Sequence, residues 1–326
     1  MNKYNLKIKT VFAKFSKSRV LIILLLILLA FAILTKGKTV HLSNIMNILV
    51  QATVTGLMTI GMALVIIDRG IDLSVGGVAA LSSAIGAICM VELKLPWIIC
   101  VLIMLLIGIL IGFVNGITIA KLSVPPFVCT LAVLKTTQGV ALFILGGRTI
   151  SGFPEVHAFF GQSSILKIPV SVWILLIFTL LGWLILRSSR FGKELYAMGG
   201  NPKAAWIAGI NVTRNRVLVY VISGFLSAVA ALIITSRIMC AQSTIGEGME
   251  MDAFAGAVIG GVSLAGGEGG VLGAVVGSLI IVMINNGLNL MAVSPFIQTG
   301  VKGLVIFTAV TFDALQRQRE NRLLSR

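Results

Sequence analysis

Charge is scarce in this chain, and acidic charge scarcest: of 326 residues 11% are charged, with 11 Asp and Glu against 26 Lys and Arg. Ordinary soluble domains devote about a quarter of their residues to charge, so the shortage excludes a conventional water-soluble globule. Histidine is almost missing. The two present, His41 and His157, fall in separate loops far from any cysteine or carboxylate pair, and each reads as solvated surface rather than a metal ligand. Cys89, Cys100, Cys129 and Cys240 form no C-x-x-C pair and lie in or beside apolar runs, so they read as small packing residues and not as a disulfide frame or metal site. Phosphate-loop, H-E-x-x-H and G-x-S-x-G patterns are also lacking, which removes the commonest catalytic arrangements. If a chain without these patterns moves something uphill, the energy must come from a partner or an ion gradient.

What is there is oil: 57% of the residues are hydrophobic. A bilayer core about 30 Å thick takes about 20 apolar residues per helical crossing, and helix is required because each N–H and C=O must be satisfied within the segment. Nine apolar runs meet this need, at 20–34, 48–67, 74–91, 96–119, 127–145, 170–186, 217–235, 271–293 and 296–312. A shorter, glycine-rich run at 252–265 is ambiguous between a crossing and a re-entrant segment. Charge placement decides it. Basic residues cluster before the first run, between Arg187 and Arg216, and at the end of the chain (Arg317, Arg319, Arg322, Arg326), and cytoplasmic loops carry such excess. An even number of crossings must separate each pair of clusters, which promotes 252–265 to a tenth. The net charge of +15 is thereby assigned to membrane orientation rather than to nucleic acid. The expected fold is an all-α polytopic membrane protein of about ten transmembrane helices with both termini cytoplasmic. Residues 1–19 form a basic cytoplasmic segment, 20–313 a transmembrane domain with a cytoplasmic loop at 187–216, and 314–326 a basic tail.

Polar residues inside the runs are costly in hydrocarbon and therefore face a bundle interior or a wet path. Gln51, Asn115, Lys135, Gln138, Asn285, Asn286, Asn289 and Lys302 qualify. Most are neutral amides, which suits a polyhydroxylated neutral solute; a proton relay would need mid-span carboxylates, and none is expected. Each could equally be an interhelical hydrogen bond. The glycine pairs 108/112, 112/116, 256/260 and 273/277 have the four-residue spacing of close helix packing.

At 70–77 the oil is interrupted by Gly-Ile-Asp-Leu-Ser-Val-Gly-Gly. Gly70 is expected to end one helix in a left-handed turn and Asp72 to cap the next, which Ser74 opens. Asp72 followed by Asn115-Gly116 and Pro126-Phe127 is echoed by Asp252 followed by Asn286-Gly287 and Pro295-Phe296, the pattern of inverted repeats that build transporters. Residues 146–169 and the acidic turn 247–252 are expected on the outer side. The stretch 191–210 is instead a polar, basic, helix-forming island, what a membrane protein would offer to a soluble partner.

Four blocks, the 70–76 segment, 191–211, Gly-Gly-x-Ser-Leu-Ala-Gly-Gly at 260–267 and Asn-Asn-Gly-Leu-Asn-Leu at 285–290, together resemble the ribose and simple-sugar permease subunits of bacterial importers powered by ATP-binding-cassette proteins. The resemblance implies a multi-pass subunit of the bacterial inner membrane that is not itself an enzyme. It further implies a second permease copy or paralogue, a cytoplasmic ATPase carrying ATP and magnesium, and a periplasmic or extracellular sugar-binding protein, with no cofactor on this chain. The island then becomes a short helix docking the ATPase, with Gly192, Glu194, Gly200, Asn201, Pro202, Ala204, Ala205 and Gly209 as coupling residues. Ala204-Ala205-x-x-x-Gly209 is similar to the core of the Glu-Ala-Ala loop of such permeases, although Lys203 stands where Glu is expected. The rival reading is a secondary sugar transporter or facilitator that needs no ATPase.

Overall fold

The computed structural model describes residues 20–324; the basic segment 1–19 and Arg326 lie outside them. The chain runs through α1 (Val20–Leu34), α2 (Leu42–Ile67), α3 (Ser74–Ala87, prolonged by a π turn at Ile88–Glu92), α4 (Trp97–Lys121) and α5 (Pro126–Leu145). An outer segment with β1 (Ile150–Ser151), the short α6 (Phe159–Gln162), β2 (Ser164–Ile165) and β3 (Ile168–Pro169) precedes α7 (Val170–Ser188). Then come α8 (Arg190–Gly200), α9 (Pro202–Ile207), α10 (Val212–Ile238), β4 (Cys240–Ala241), α11 (Met249–Ile259), α12 (Val271–Leu290) and α13 (Pro295–Leu324). The protein is an all-α polytopic membrane protein. Among the described residues eight helices are long and apolar enough to cross a bilayer. The other two expected crossings are shorter: α1 has 15 residues, and 252–265 becomes α11, of 11 residues, about 16 Å of helix and roughly half a hydrocarbon core. The apolar window of α13 ends at Phe312, and the helix itself continues unbroken through the expected basic tail to Leu324.

Helices α2 and α10 run in opposite directions and pack on each other. Each also packs against the third helix of the other half, α10 on α4 and α2 on α12, while α3 lies on α5 and α11 on α13. This exchange is the arrangement of two inverted halves, α2–α5 and α10–α13. Glycine permits the closest of these contacts. A Cβ at Gly108 would run into the carbonyl of Gly224, and one at Gly112 into that of Tyr220, so α4 and α10 touch backbone to backbone. Between α11 and α12, Gly256 and Gly260 mesh with Gly277 and Gly273. In lipid such contact is the main source of association, since exchanging lipid tails for apolar side chains gains little.

The bundle has two ends. One holds α8 and α9, the end of α2 and the 260–270 loop, where the Gly267 N–H donates to the Ile67 carbonyl at 2.9 Å. At the other, β1 pairs antiparallel with β4, Ile150 opposite Ala241, and Arg148 meets Glu92 at 2.6 Å. His157 lies there too, and here the sequence expectation fails. It is fully buried, its Nδ1 accepting from Trp97 Nε1 at 3.4 Å and its Nε2 bonded to the Thr235 hydroxyl at 3.0 Å. Both ring nitrogens are satisfied in the neutral form, and burial lowers its pKa to about 4.

Candidate functional site

The island is two helices, not one. Ser189 caps α8, its Oγ accepting from the Gly192 N–H at 3.0 Å. Asn201 leaves helical geometry at φ −154° and caps α9, its Oδ1 accepting from the Ala204 N–H at 3.1 Å, with Pro202 in the first turn. Asn211 caps α10 in the same way at Arg214, 2.9 Å. Three side-chain caps within 23 residues break the segment into short rigid pieces, because each supplies the acceptor that the free N–H groups of a helix start require.

The proposed coupling residues divide between inward and outward roles. Gly192 is buried against the backbone of Ile185 and Leu186 at the end of α7. Glu194 accepts from Asn215 Nδ2 at 2.7 Å and Arg190 Nε at 2.6 Å, tying α8 to α10; the Asn215 bond, then the Arg190 bond, hold its carboxyl below the ordinary range. Ala205 is buried, Gly200 and Ala204 are exposed, and Gly209 ends α9 at φ +82°, a geometry that suits glycine. The outermost features of α9 are two residues that sequence reasoning passed over, Trp206 and Ile207, 72% and 78% exposed. Their signal was present as large apolar side chains in an otherwise polar stretch.

The break at 68–73 lies between the island and the middle of the bundle. The left-handed residue is Arg69 (φ +64°), not Gly70. Gly70 is needed for space, since a Cβ there would strike the Tyr220 hydroxyl. Asp72 is fully buried; its Oδ1 accepts from the Ser74 N–H at 3.0 Å and the Ser74 hydroxyl at 2.5 Å, and its Oδ2 from Ser223 at 2.7 Å. Ser223 is eleven residues along α10 from its start, which puts Asp72 about 16 Å deep. Asn115 Nδ2 donates to Ser74 Oγ at 2.8 Å. In the second half Asp252 accepts from Asn285 at 3.3 Å and Lys302 at 3.0 Å. Carboxylates therefore do sit at mid-bundle, contrary to the sequence expectation. Glu250 and Asp252 belong to the first turn of α11, with Glu250 buried beside Gly76, and are not an outer acidic turn. The sequence expectation puts Asp252 at the outer end of a full crossing, but α11 is only 11 residues long and Asp252 meets Asn285 and Lys302 within the bundle.

The six amides expected to line a path do not converge. Asn115 serves the Asp72 cap. Asn286 exchanges two hydrogen bonds with Asn44, at 2.9 and 3.0 Å, and locks α12 to α2. Asn289 accepts from Gln298 at 2.8 Å at the start of α13, Gln51 is half-buried on α2, and Gln138 accepts from the exposed Lys135 at 3.3 Å on α5. Among the described residues no group of three His, Cys, Asp or Glu side chains could hold a metal ion.

A family model described as branched-chain amino acid transport system / permease component matches residues 44–310. The chain is 42% identical over 295 residues to the ribose import permease protein of Haemophilus influenzae, covering 89% of this chain and 91% of that one. It is 44% identical over 273 residues to the ribose import permease protein of Bacillus subtilis, with 83% and 84% covered. It is also 33% identical over 330 residues to the galactose/methyl galactoside import permease protein of Escherichia coli K12, with 96% and 98% covered. No solved structure matches the chain.

Proposed function

The chain belongs to the family of branched-chain amino acid transport system permease components, and from that premise we propose that it is the membrane-spanning subunit of an ATP-driven importer for a monosaccharide, ribose or a close relative. It sits in the bacterial inner membrane with α8 and α9 on the cytoplasmic side. ATP and magnesium are held by a partner ATPase, and a sugar-binding protein delivers the solute to the opposite end. The observation that carries the reading is α9: a capped, six-residue helix at one end of the bundle presenting Trp206 and Ile207 outward. Exposed aromatic and aliphatic anchors on a rigid support are what a protein partner buries at the centre of an interface.

A second permease copy is supported by α5 and α13. Lys135 and Thr136 are exposed on α5, and α13 leaves Thr299, Gly300 and Gly303 uncovered, with only 6% of its apolar window buried. A lysine facing lipid at that depth is costly, so these faces meet another copy or a hydrated path between copies. The sugar passes there, past Lys135, Gln138, Lys302 and Asn289.

The test is reconstitution of the chain with its ATPase and binding protein in liposomes. ATP-dependent uptake of labelled ribose that vanishes without the ATPase supports the proposal. Accumulation by the chain alone on an imposed ion gradient would establish the secondary-transporter reading instead.

A further inference from the structure

Arg69 is placed where two distant parts of the chain meet. Its backbone takes the left-handed turn at the end of α2. Its side chain reaches back to the last turn of α8, where Nε donates to the Gly199 carbonyl and Nη2 to the Gly200 carbonyl, across 130 and 131 residues of sequence. Those carbonyls have no partner within α8, and a cation at a helix C-terminus also answers the negative end of its dipole. The fit is close all round: Gly199 packs on the Ile67 carbonyl, and Gly266, at φ +77°, gives room to the Arg69 stem.

On one side of this grip lies Asn201 and then α9, with its exposed Trp206 and Ile207. On the other, three residues after Arg69, lies Asp72, whose carboxylate bonds Ser74 at the foot of α3 and Ser223 on α10. Gly76, in the first turn of α3, touches Gly246 just ahead of α11. Among the described residues Arg69 is thus the side chain that bonds the C-terminal carbonyls of α8 to the start of the 70–73 segment, and that segment has no helix to absorb a displacement before α3 begins.

We propose that Arg69 is a positioning residue for transport, a fork that makes the 70–73 segment and α3 follow the motion of α8 and α9. The inference rests on the importer reading above. When the ATPase moves α9, the rigid α8 end pulls two carbonyls fixed in the plane of one guanidinium, and the foot of α3 moves with them at mid-bundle. The two-point grip is specific to arginine; a lysine ammonium offers a single point charge.

The experiment uses the reconstituted complex of wild-type, Arg69→Ala and Arg69→Lys chains, reading ATP hydrolysed per labelled ribose taken up. A merely structural defect lowers the number of working complexes and leaves that ratio unchanged. The expected result is a ratio raised at least tenfold in Arg69→Ala, with hydrolysis above half of wild type, and an intermediate ratio in Arg69→Lys. If Arg69→Ala does not accumulate in the membrane, Arg69→Lys carries the test, with a ratio raised at least threefold. A wild-type ratio in the assembled variant overturns the inference while leaving the importer reading intact. Absence of ATP-dependent uptake by the wild-type complex overturns both.

Discussion

Arg216 donates to both carboxylate oxygens of Asp68, from Nε at 2.7 Å and from Nη2 at 3.2 Å, and so fixes the start of α10 to the end of α2. The Asp68 side chain is almost wholly buried and that of Arg216 is 23% exposed, which makes this a planar, two-point ion pair largely out of water. Removing one partner leaves the other charge uncompensated, whereas replacing both with apolar groups is often tolerated. Asp68→Ala is expected to lower stability by about 3 kcal/mol, and Asp68→Leu combined with Arg216→Met by much less. Thermal unfolding of the purified protein in detergent checks the difference; equal losses would mean that the pair contributes through packing alone.

The contact of α4 with α10 yields a sharper steric expectation. Gly112→Ala drives a methyl group into the Tyr220 backbone and is expected to cost roughly 1–3 kcal/mol, as overpacking does. Gly139→Ala on α5 meets nothing within 4 Å of its own chain and should be neutral or slightly stabilising for the single subunit. The two melting temperatures, measured side by side, decide whether the four-residue glycine spacing is used here.

His157 makes stability depend on pH. Its pKa is about 4 in the folded protein against 6.5 when unfolded, so between these values the unfolded chain binds the extra proton. The stabilisation is complete above pH 6.5, is lost as pH falls toward 4, and changes no further below. His157→Gln keeps a polar group without that titration. Its melting temperature is expected to fall less than that of wild type over the same window, and parallel curves would remove His157 as the cause.

Docking of the ATPase is expected to centre on α9. Trp206→Ala and Ile207→Ala should each weaken association of the purified ATPase by tenfold or more, the loss of about 1.4 kcal/mol or above that central apolar anchors give. Glu194→Gln, which alters an inward tie to α10, should affect affinity far less. Binding of ATPase to the permease in nanodiscs separates them.

Sidedness can be read directly. With the four native cysteines replaced, single cysteines at Lys203 and Glu268 should react with an impermeant thiol reagent from the same face of the membrane, and one at Lys167 from the other. Labelling of Glu268 and Lys203 from opposite faces would refute the contact of Gly267 with Ile67.

Much of this molecule was legible one segment at a time. That the chain must be helical and multi-pass follows from its apolar runs alone, because an unsatisfied backbone cannot cross lipid. The Asp72 cap was legible for a similar reason: it reaches a group two residues away, so sequence spacing states the contact, whereas the Asn201 cap that splits the island in two was not read from the same short spacing. The left-handed position was misjudged by one residue because glycine is favoured there but Arg69 is held by its distant grip.

What the sequence alone determined, then, is the helical class, most of the crossings and the polar island between them. Only the tertiary structure decided that α11 stops halfway, that Asn286 pairs with Asn44 across 242 residues, that His157 is buried, and that Arg69 holds the end of α8. The physical reason is that lipid and protein interior are equally apolar, so hydropathy cannot tell a face turned to the bilayer from one turned to a neighbour. Which helices approach closely enough for a carbonyl or amide to be shared is set by backbone contacts at glycines far apart in the chain.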